Sequence, residues 1–246
     1  MFRYQILIEY AGTSFRGWQF QKKGKTIQGL IQDKISKLLK ERILIFGAGR
    51  TDTGVHAIEQ SAHFDCKRKI INKEKFLRSI NYFLYDEKVA ILKIKKRNNK
   101  FHARFSATMR IYKYVILNRL SRPVLEKSRG WHIMKELDLI AMRKGAKKLI
   151  GTKDFSTFRA SSCRAKSPIK TMKLVKIVSS KNKIVIEFQS KSFLQKQVRS
   201  MVGCLKYLGE KKWTLKKFDN VINSKKRVLC APLAPSEGLF LSRIIY

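Results

Sequence analysis

The stretch Phe2-Arg3-Tyr4-Gln5-Ile6-Leu7-Ile8-Glu9-Tyr10 sets Phe2, Tyr4, Ile6, Ile8 and Tyr10 at every second position. Successive side chains of a strand point to opposite faces, so this period marks a half-buried strand. The alternation also lacks the basic start, apolar block and small-residue cleavage site of a secretory leader, and the protein is expected to stay in the cytosol. Downstream the period changes. Thr26 is a candidate N-cap, and Ile27, Leu30, Ile31, Ile35, Leu38 and Leu39 recur at helical spacing, with Gln32, Asp33, Lys37 and Lys40 opposite. A strand is expected at Ile43 to Phe46 and another at Gln60 to Asp65. A helix is expected over Asn72 to Leu84, with Phe76, Leu77, Ile80, Phe83 and Leu84 inward, then a strand at Val89 to Ile94.

After Phe105 the order begins again. Tyr112, Tyr114 and Ile116 share one face of a strand, and a helix runs from about Glu136 to Ile150. Strands near Thr171 to Val178 and Ile184 to Phe188 are joined through the turn formers Ser179, Ser180, Lys181 and Asn182. Helices follow at about Phe193 to Leu208 and Leu215 to Ile222, and a last strand at Leu239 to Ile245. Each half reads as a split β-α-β unit, the second with one extra helix. The expected fold is α+β: two ferredoxin-like halves, residues 1–105 and 106–246, joined into one antiparallel sheet with helices packed behind. No stretch is rich in Pro, Gly or Ser, so no long flexible linker divides them.

The charge narrows the partners. Across 246 residues, 55 Lys+Arg face 17 Asp+Glu, a formal charge of +38, while 44% hydrophobic residues supply ample core. A folded protein this basic is expected to bind a polyanion. Lys outnumbers Arg by 37 to 18 and Ile is abundant, so codon bias accounts for part of the excess. Such bias exchanges Lys for Arg more readily than it removes Asp and Glu. No window approaches the roughly 18 apolar residues of a membrane span. Cys66, Cys163, Cys204 and Cys230 lie far apart, without a C-x-x-C pair or a neighbouring His, and are expected to be buried reduced thiols.

The most unusual segment is Phe46-Gly47-Ala48-Gly49-Arg50-Thr51-Asp52-Thr53-Gly54-Val55-His56-Ala57. Its glycines permit positive φ or close backbone approach, and Arg50, Asp52 and His56 supply opposite charges and a titratable ring. Two phosphate-loop readings fail, because Val55 stands where G-x-x-x-x-G-K-[ST] needs Lys and Asp52 where G-x-G-x-x-G needs Gly. No second carboxylate lies in the loop, so a two-metal site or glycosidase pair has little local support. A cofactor-free Asp52 nucleophile, kept ionised by Arg50, remains open beside a structural turn whose Asp caps its own backbone. His56 reads as a structural histidine.

The loop Ala48 to Ala57 resembles the signature of the tRNA pseudouridine synthase I family. Four further segments agree in the same order: Ile8 to Gln19; Phe101-His102-Ala103-Arg104-Phe105-Ser106-Ala107 with Tyr112-Lys113-Tyr114; Asp154-Phe155-Ser156-Thr157-Phe158-Arg159; and Glu237-Gly238-Leu239-Phe240-Leu241. The resemblance implies the pseudouridine synthase fold. It also implies an isomerase converting uridine to pseudouridine at positions 38, 39 and 40 of the tRNA anticodon stem-loop, without metal or cofactor. It makes Asp52 the essential aspartate, attacking the uracil ring or ribose C1′, and has Arg50 assist base flipping. Tyr112 would stack on the target uracil, and Arg199 matches the basic residue that pairs with the carboxylate. Tyr112, Arg104, Arg110, Arg159 and Lys166 are the implied substrate-binding set, and a cytoplasmic homodimer carrying one tRNA across both subunits is the implied assembly.

From residues alone, Tyr112 reads as a sheet-packing aromatic and Arg199 as part of a solvated helix face with Lys196 and Lys206. The chain departs from the family pattern at Gln195 and Lys196, where Tyr and His are common, and at Asn81-Tyr82-Phe83-Leu84-Tyr85, where Asn-Leu-Pro is usual. Lys166 stands where Arg is commoner, keeping the charge but not the planar fork. An RNA-binding module without chemistry is the rival reading. Such a module has no need of an Asp that repels phosphate inside a glycine-rich basic loop. A metal-dependent nuclease needs clustered carboxylates, and the acidic residues are few and scattered.

Overall fold

The computed structural model describes residues 1–246. By contact they form two compact units, Met1–Thr108 with Phe240–Tyr246, and Met109–Leu239. Ten strands, mostly antiparallel in their pairing, and five helices make up the chain, and the α+β class expected from the sequence is what is found. No helix is long and apolar enough to cross a membrane.

The first unit runs β1 (Phe2–Tyr10), α1 (Ile27–Leu39), β2 (Ile45–Gly47), β3 (His56–Cys66), α2 (Lys73–Phe83) and β4 (Val89–Arg97), the β-α-β-β-α-β order of the sequence reading. Strand β1 lies between β3 and β4, antiparallel to both, with Ile6 opposite Ala62 on one side and Ile94 on the other. Tyr4, Ile6 and Ile8 are fully buried, as are Ile31 and Ile35 of α1 and Ile80 of α2. Each such side chain contributes roughly 1.5–3 kcal/mol by leaving water. Thr26 does cap α1, its hydroxyl accepting from the Gly29 amide at 3.3 Å, and Asn72 caps α2 through the Lys75 amide.

Two expectations fail here. Strand β2 begins at Ile45, not Ile43, because side chains of α1 take the main-chain donors on its approach: the Ile43 amide donates to Ser36 Oγ and the Ile45 amide to Gln32 Oε1. Phe83 is exposed, not inward, because α2 ends there and the next residue, Leu84, takes the buried place.

The second unit contains β5 (Met109–Asn118), β6 (Trp131–Ile133), α3 (Leu139–Lys148), β7 (Gly151–Asp154), β8 (Ile169–Ser180), β9 (Lys183–Ser190), α4 (Gln197–Gly209) and α5 (Leu215–Ser224). Strands β5, β9, β8 and β7 pair in that order, each antiparallel to the next. Strands β6 and β7 were not expected, being too short for a period to show. The β8–β9 hairpin turns at Lys181-Asn182, with Lys181 at φ 50°. Helix α3 starts after Asp138, whose carboxylate accepts from the Ala141 amide at 2.9 Å, and not at Glu136. Helix α4 starts at Gln197 and not at Phe193, because Lys196 takes a left-handed conformation at φ 63° and Gln197 Oε1 accepts from the Leu194 amide. The closing strand β10 (Leu239–Ile245) lies from Phe240 onward with the first unit, where Phe240 and Leu241 run parallel to His56 and Ala57 of β3.

Acid should weaken the first unit first. The His63 ring on β3 is buried, stacks on Phe46, and accepts from the Ala103 amide through Nδ1 at 3.2 Å. Burial, then the charges of His102 and Arg3, lower its pKa from 6.5 to about 4. A histidine held neutral in the fold and free to protonate when unfolded makes stability rise with pH between those two values. Asp65, held low by its hydrogen bond from Arg3, acts in the same direction at still lower pH. Thermal melts should therefore show a nearly constant Tm above pH 7 and a fall from about pH 6.5 to 4. His63→Gln should flatten that part of the slope; an unchanged slope would show that His63 does not carry it.

Candidate active site

The loop between β2 and β3 is fixed through its own main chain. At its start the Ala48 amide donates to the Ser61 carbonyl at 2.8 Å, and Gln60 Nε2 donates to the Gly49 carbonyl at 2.9 Å. In its middle the Thr51 carbonyl accepts from the Trp18 amide at 3.1 Å, and Thr51 Oγ1 shares a 2.8 Å hydrogen bond with the Tyr10 hydroxyl. At its end the Val55 amide donates to the Asp52 carbonyl, closing a four-residue turn with Gly54 third at φ 80°. A positive φ at that position is what a type II turn requires and glycine supplies.

The β1–α1 connection packs against this loop closely. A Cβ on Gly12 would stand 2.0 Å from the Val55 carbonyl oxygen, so only glycine fits. The Gly12 amide donates to His56 Nδ1 at 3.2 Å, and the His56 ring stacks on Phe240 with centroids 4.7 Å apart. His56 is thus a buried structural histidine, as its sequence reading had it.

Asp52 is half-buried, between the buried Thr51 and the exposed Thr53. The carbonyls of Thr51 and of Asp52 itself each accept a main-chain hydrogen bond, so the carboxylate projects from a backbone of fixed course. Arg50, the cation nearest to Asp52 along the loop, is exposed. Arg104 is also exposed, its guanidinium 5.5 Å from the centre of the Phe105 ring.

The other residues singled out from the sequence lie in the second unit. Tyr112 is buried on β5, opposite Phe188 of β9 and edge-on to Phe193 at 5.0 Å between centroids. Arg110, two residues earlier, donates through Nη1 to the Lys191 carbonyl. Arg159 Nη2 donates to the carbonyls of Cys163 and Ala165 at 2.6 and 2.9 Å, closing the loop that leads to the exposed Lys166. Arg199 on α4 is half-buried, and its Nε donates to the Ala234 carbonyl at 2.7 Å. The solvated-face reading of Arg199 and Lys206 is therefore wrong: Lys206 pairs with Glu210 at 2.6 Å and lies over the Trp131 ring.

The family model described as tRNA pseudouridine synthase matches residues 6–106 and 146–246. The chain belongs to that family. It is 68% identical, over its full length and that of the relative, to a protein named tRNA pseudouridine synthase A from Pelagibacter ubique. Proteins of the same name from Paramagnetospirillum magneticum and Afipia carboxidovorans are 42% and 40% identical, each over 99% of this chain and at least 95% of the relative. Members of the tRNA pseudouridine synthase family are isomerases that convert uridine to pseudouridine.

Sequence reasoning missed the groups that fix the loop of this tRNA pseudouridine synthase family member, Tyr10, Trp18 and Gln60. Tyr10 and Gln60 read only as residues of expected strands, since their partners lie 41 and 11 positions away. Thr51→Val removes one partner of the buried Tyr10–Thr51 hydrogen bond and should lower stability by about 1–3 kcal/mol. Adding Tyr10→Phe should recover part of that loss, a coupling to be read from urea denaturation of both single variants and the double.

Proposed function

We propose that this chain isomerises uridine to pseudouridine at positions 38, 39 and 40 of the tRNA anticodon stem-loop, with Asp52 as nucleophile. The supporting observation is the main-chain clamp on the Asp52 loop, in a chain that belongs to the tRNA pseudouridine synthase family. A nucleophile that must add and later leave works best when its approach is fixed before the substrate arrives. In this reading Asp52 attacks uracil C6 or ribose C1′ and the N1–C1′ bond breaks. The uracil turns, C5 bonds to C1′, the C5 proton is lost, N1 gains a proton, and Asp52 is released unchanged. The sum is an isomerisation, with no external oxidant, reductant or energy source.

The target base lies in a stem or near its loop and must be flipped out, at a cost of a few kcal/mol that phosphate contacts offset. Arg50, exposed on the same loop, is assigned to the flipping step, and Tyr112 to stacking on the uracil. Arg199 is assigned to the catalytic carboxylate, and Arg104, Arg110, Arg159 and Lys166 to the RNA. We also propose that the enzyme works in the cytoplasm as a homodimer with one tRNA across both subunits; sedimentation with and without tRNA tests the assembly.

The decisive measurement is tritium release from tRNA labelled at uracil C5, in chelator. The parent should release tritium and Asp52→Asn should not, while Asp52→Asn binds tRNA as well as the parent or slightly better. Retained turnover in purified Asp52→Asn would remove the nucleophile assignment, and tight binding without release by either chain would favour the RNA-binding module. Arg50→Ala and Tyr112→Phe should lose turnover more than binding.

Affinity should fall steeply with salt, because phosphate contacts release counterions. Removing one such contact, as in Lys166→Ala, should reduce the slope of log K against log salt by about 1. An unchanged slope would take Lys166 out of the RNA contacts.

A further inference from the structure

Two cysteines with no part in the chemistry above lie side by side in the second unit. Cys204 is fully buried on α4, and half-buried Cys230 lies in the irregular segment after α5; their Sγ atoms are 3.3 Å apart. Arg227, three residues before Cys230, donates through Nη1 to Ser200 Oγ on α4, which brings its guanidinium to the same place. The hydrogen bond from Cys204 and the charge of Arg227 lower the pKa of Cys230, while the same contact and burial raise that of Cys204. The more reactive sulfur is thus the more accessible one, and a protonated thiol stands behind it.

We propose that Cys204 and Cys230 are an oxidisable dithiol site that reacts with a hydroperoxide and closes into a reversible disulfide, tying the segment around Cys230 to α4. The Cys230 thiolate attacks one peroxide oxygen, the O–O bond breaks, and the leaving oxygen takes a proton to become water or alcohol. Cys204 then attacks the resulting sulfenic sulfur; the S–O bond breaks and the hydroxyl leaves as water with the Cys204 proton. Two electrons pass from the two sulfurs to the peroxide.

Bonding requires the sulfurs to close from 3.3 Å to about 2.05 Å. The irregular segment can take up that movement more readily than a buried helix. It also carries Ala234, whose carbonyl accepts from Arg199 Nε and whose amide donates to the Arg199 carbonyl at 3.2 Å. Closing the disulfide therefore alters the hold on Arg199, a consequence that rests on the function proposed above, whereas the disulfide itself does not.

The test treats the purified full chain with hydrogen peroxide, then denatures it and counts alkylatable thiols by mass. The parent should fall from four thiols to two, lose two hydrogens, yield a peptide linking Cys204 to Cys230, and regain four thiols with dithiothreitol. Cys230→Ser should keep its remaining three. Four thiols in the treated parent, a sulfinic acid without a linked peptide, or a link through Cys66 or Cys163 would overturn the proposal. Turnover of tRNA in the same samples should drop at least fivefold on oxidation of the parent and not of Cys230→Ser. Unchanged turnover with the disulfide formed would remove the coupling to Arg199; no turnover in the reduced parent would strike the function reading and leave the thiol count standing.

Discussion

Strand β3, which follows directly on the Asp52 loop, has partners on both of its edges. One edge pairs with β1 from Cys66 opposite Phe2 to Ala57 opposite Tyr10. The other serves β2 at Ala62, His63 and Phe64, and β10 at His56 and Ala57. A slip of one residue would turn every side chain of the strand to the opposite face, and partners on both edges would have to follow. The loop that carries Asp52 inherits this constraint. Gln60 and Ser61 hold Gly49 and Ala48 only in the observed register, so the course of the loop is set by pairing far from it in sequence.

The parts of the fold legible in the sequence are those fixed by neighbours a few residues away. Thr26 and Asn72 cap their helices as read, and the apolar periods of β1, α1 and β5 match buried faces. Boundaries set by longer contacts were not legible. The start of β2 depends on Ser36 and Gln32, which lie on α1. The start of α4 depends on one left-handed residue, Lys196, a conformation that lysine does not advertise.

The candidate site divides in the same way. The Asp52 loop could be found from composition, because close backbone approach needs glycine and Gly12 and Gly54 show why. Arg199 could not. Its place on a helical wheel beside Lys196 and Lys206 is that of a solvated residue, yet its partner Ala234 is 35 residues away on an irregular segment with no periodicity to predict where it packs. Helical spacing reports which side chains share a face and is silent on what covers that face. Arg159 shows the converse: a cation in a basic chain looks available to phosphate, while its guanidinium already closes a loop.

The few acidic residues of so basic a chain are mostly committed to its fold. Most of the few that exist stand in ion pairs that organise the fold: Asp65 with Arg3, Glu87 with Lys25, Asp219 with Lys148, and Glu210 with Lys206. Pairs of this kind consume only a small fraction of 55 cations, so the formal excess of +38 remains for solvent or a polyanion. Asp52 lies on a loop whose main chain is held by hydrogen bonds, among them Trp18 amide to Thr51 carbonyl and Val55 amide to Asp52 carbonyl. A held main chain fixes the approach of a carboxylate, and a surrounding excess of cations offsets its repulsion of phosphate. That combination is needed by an enzyme that must bring a negative group against a negatively charged substrate, and a pure RNA binder gains nothing from it.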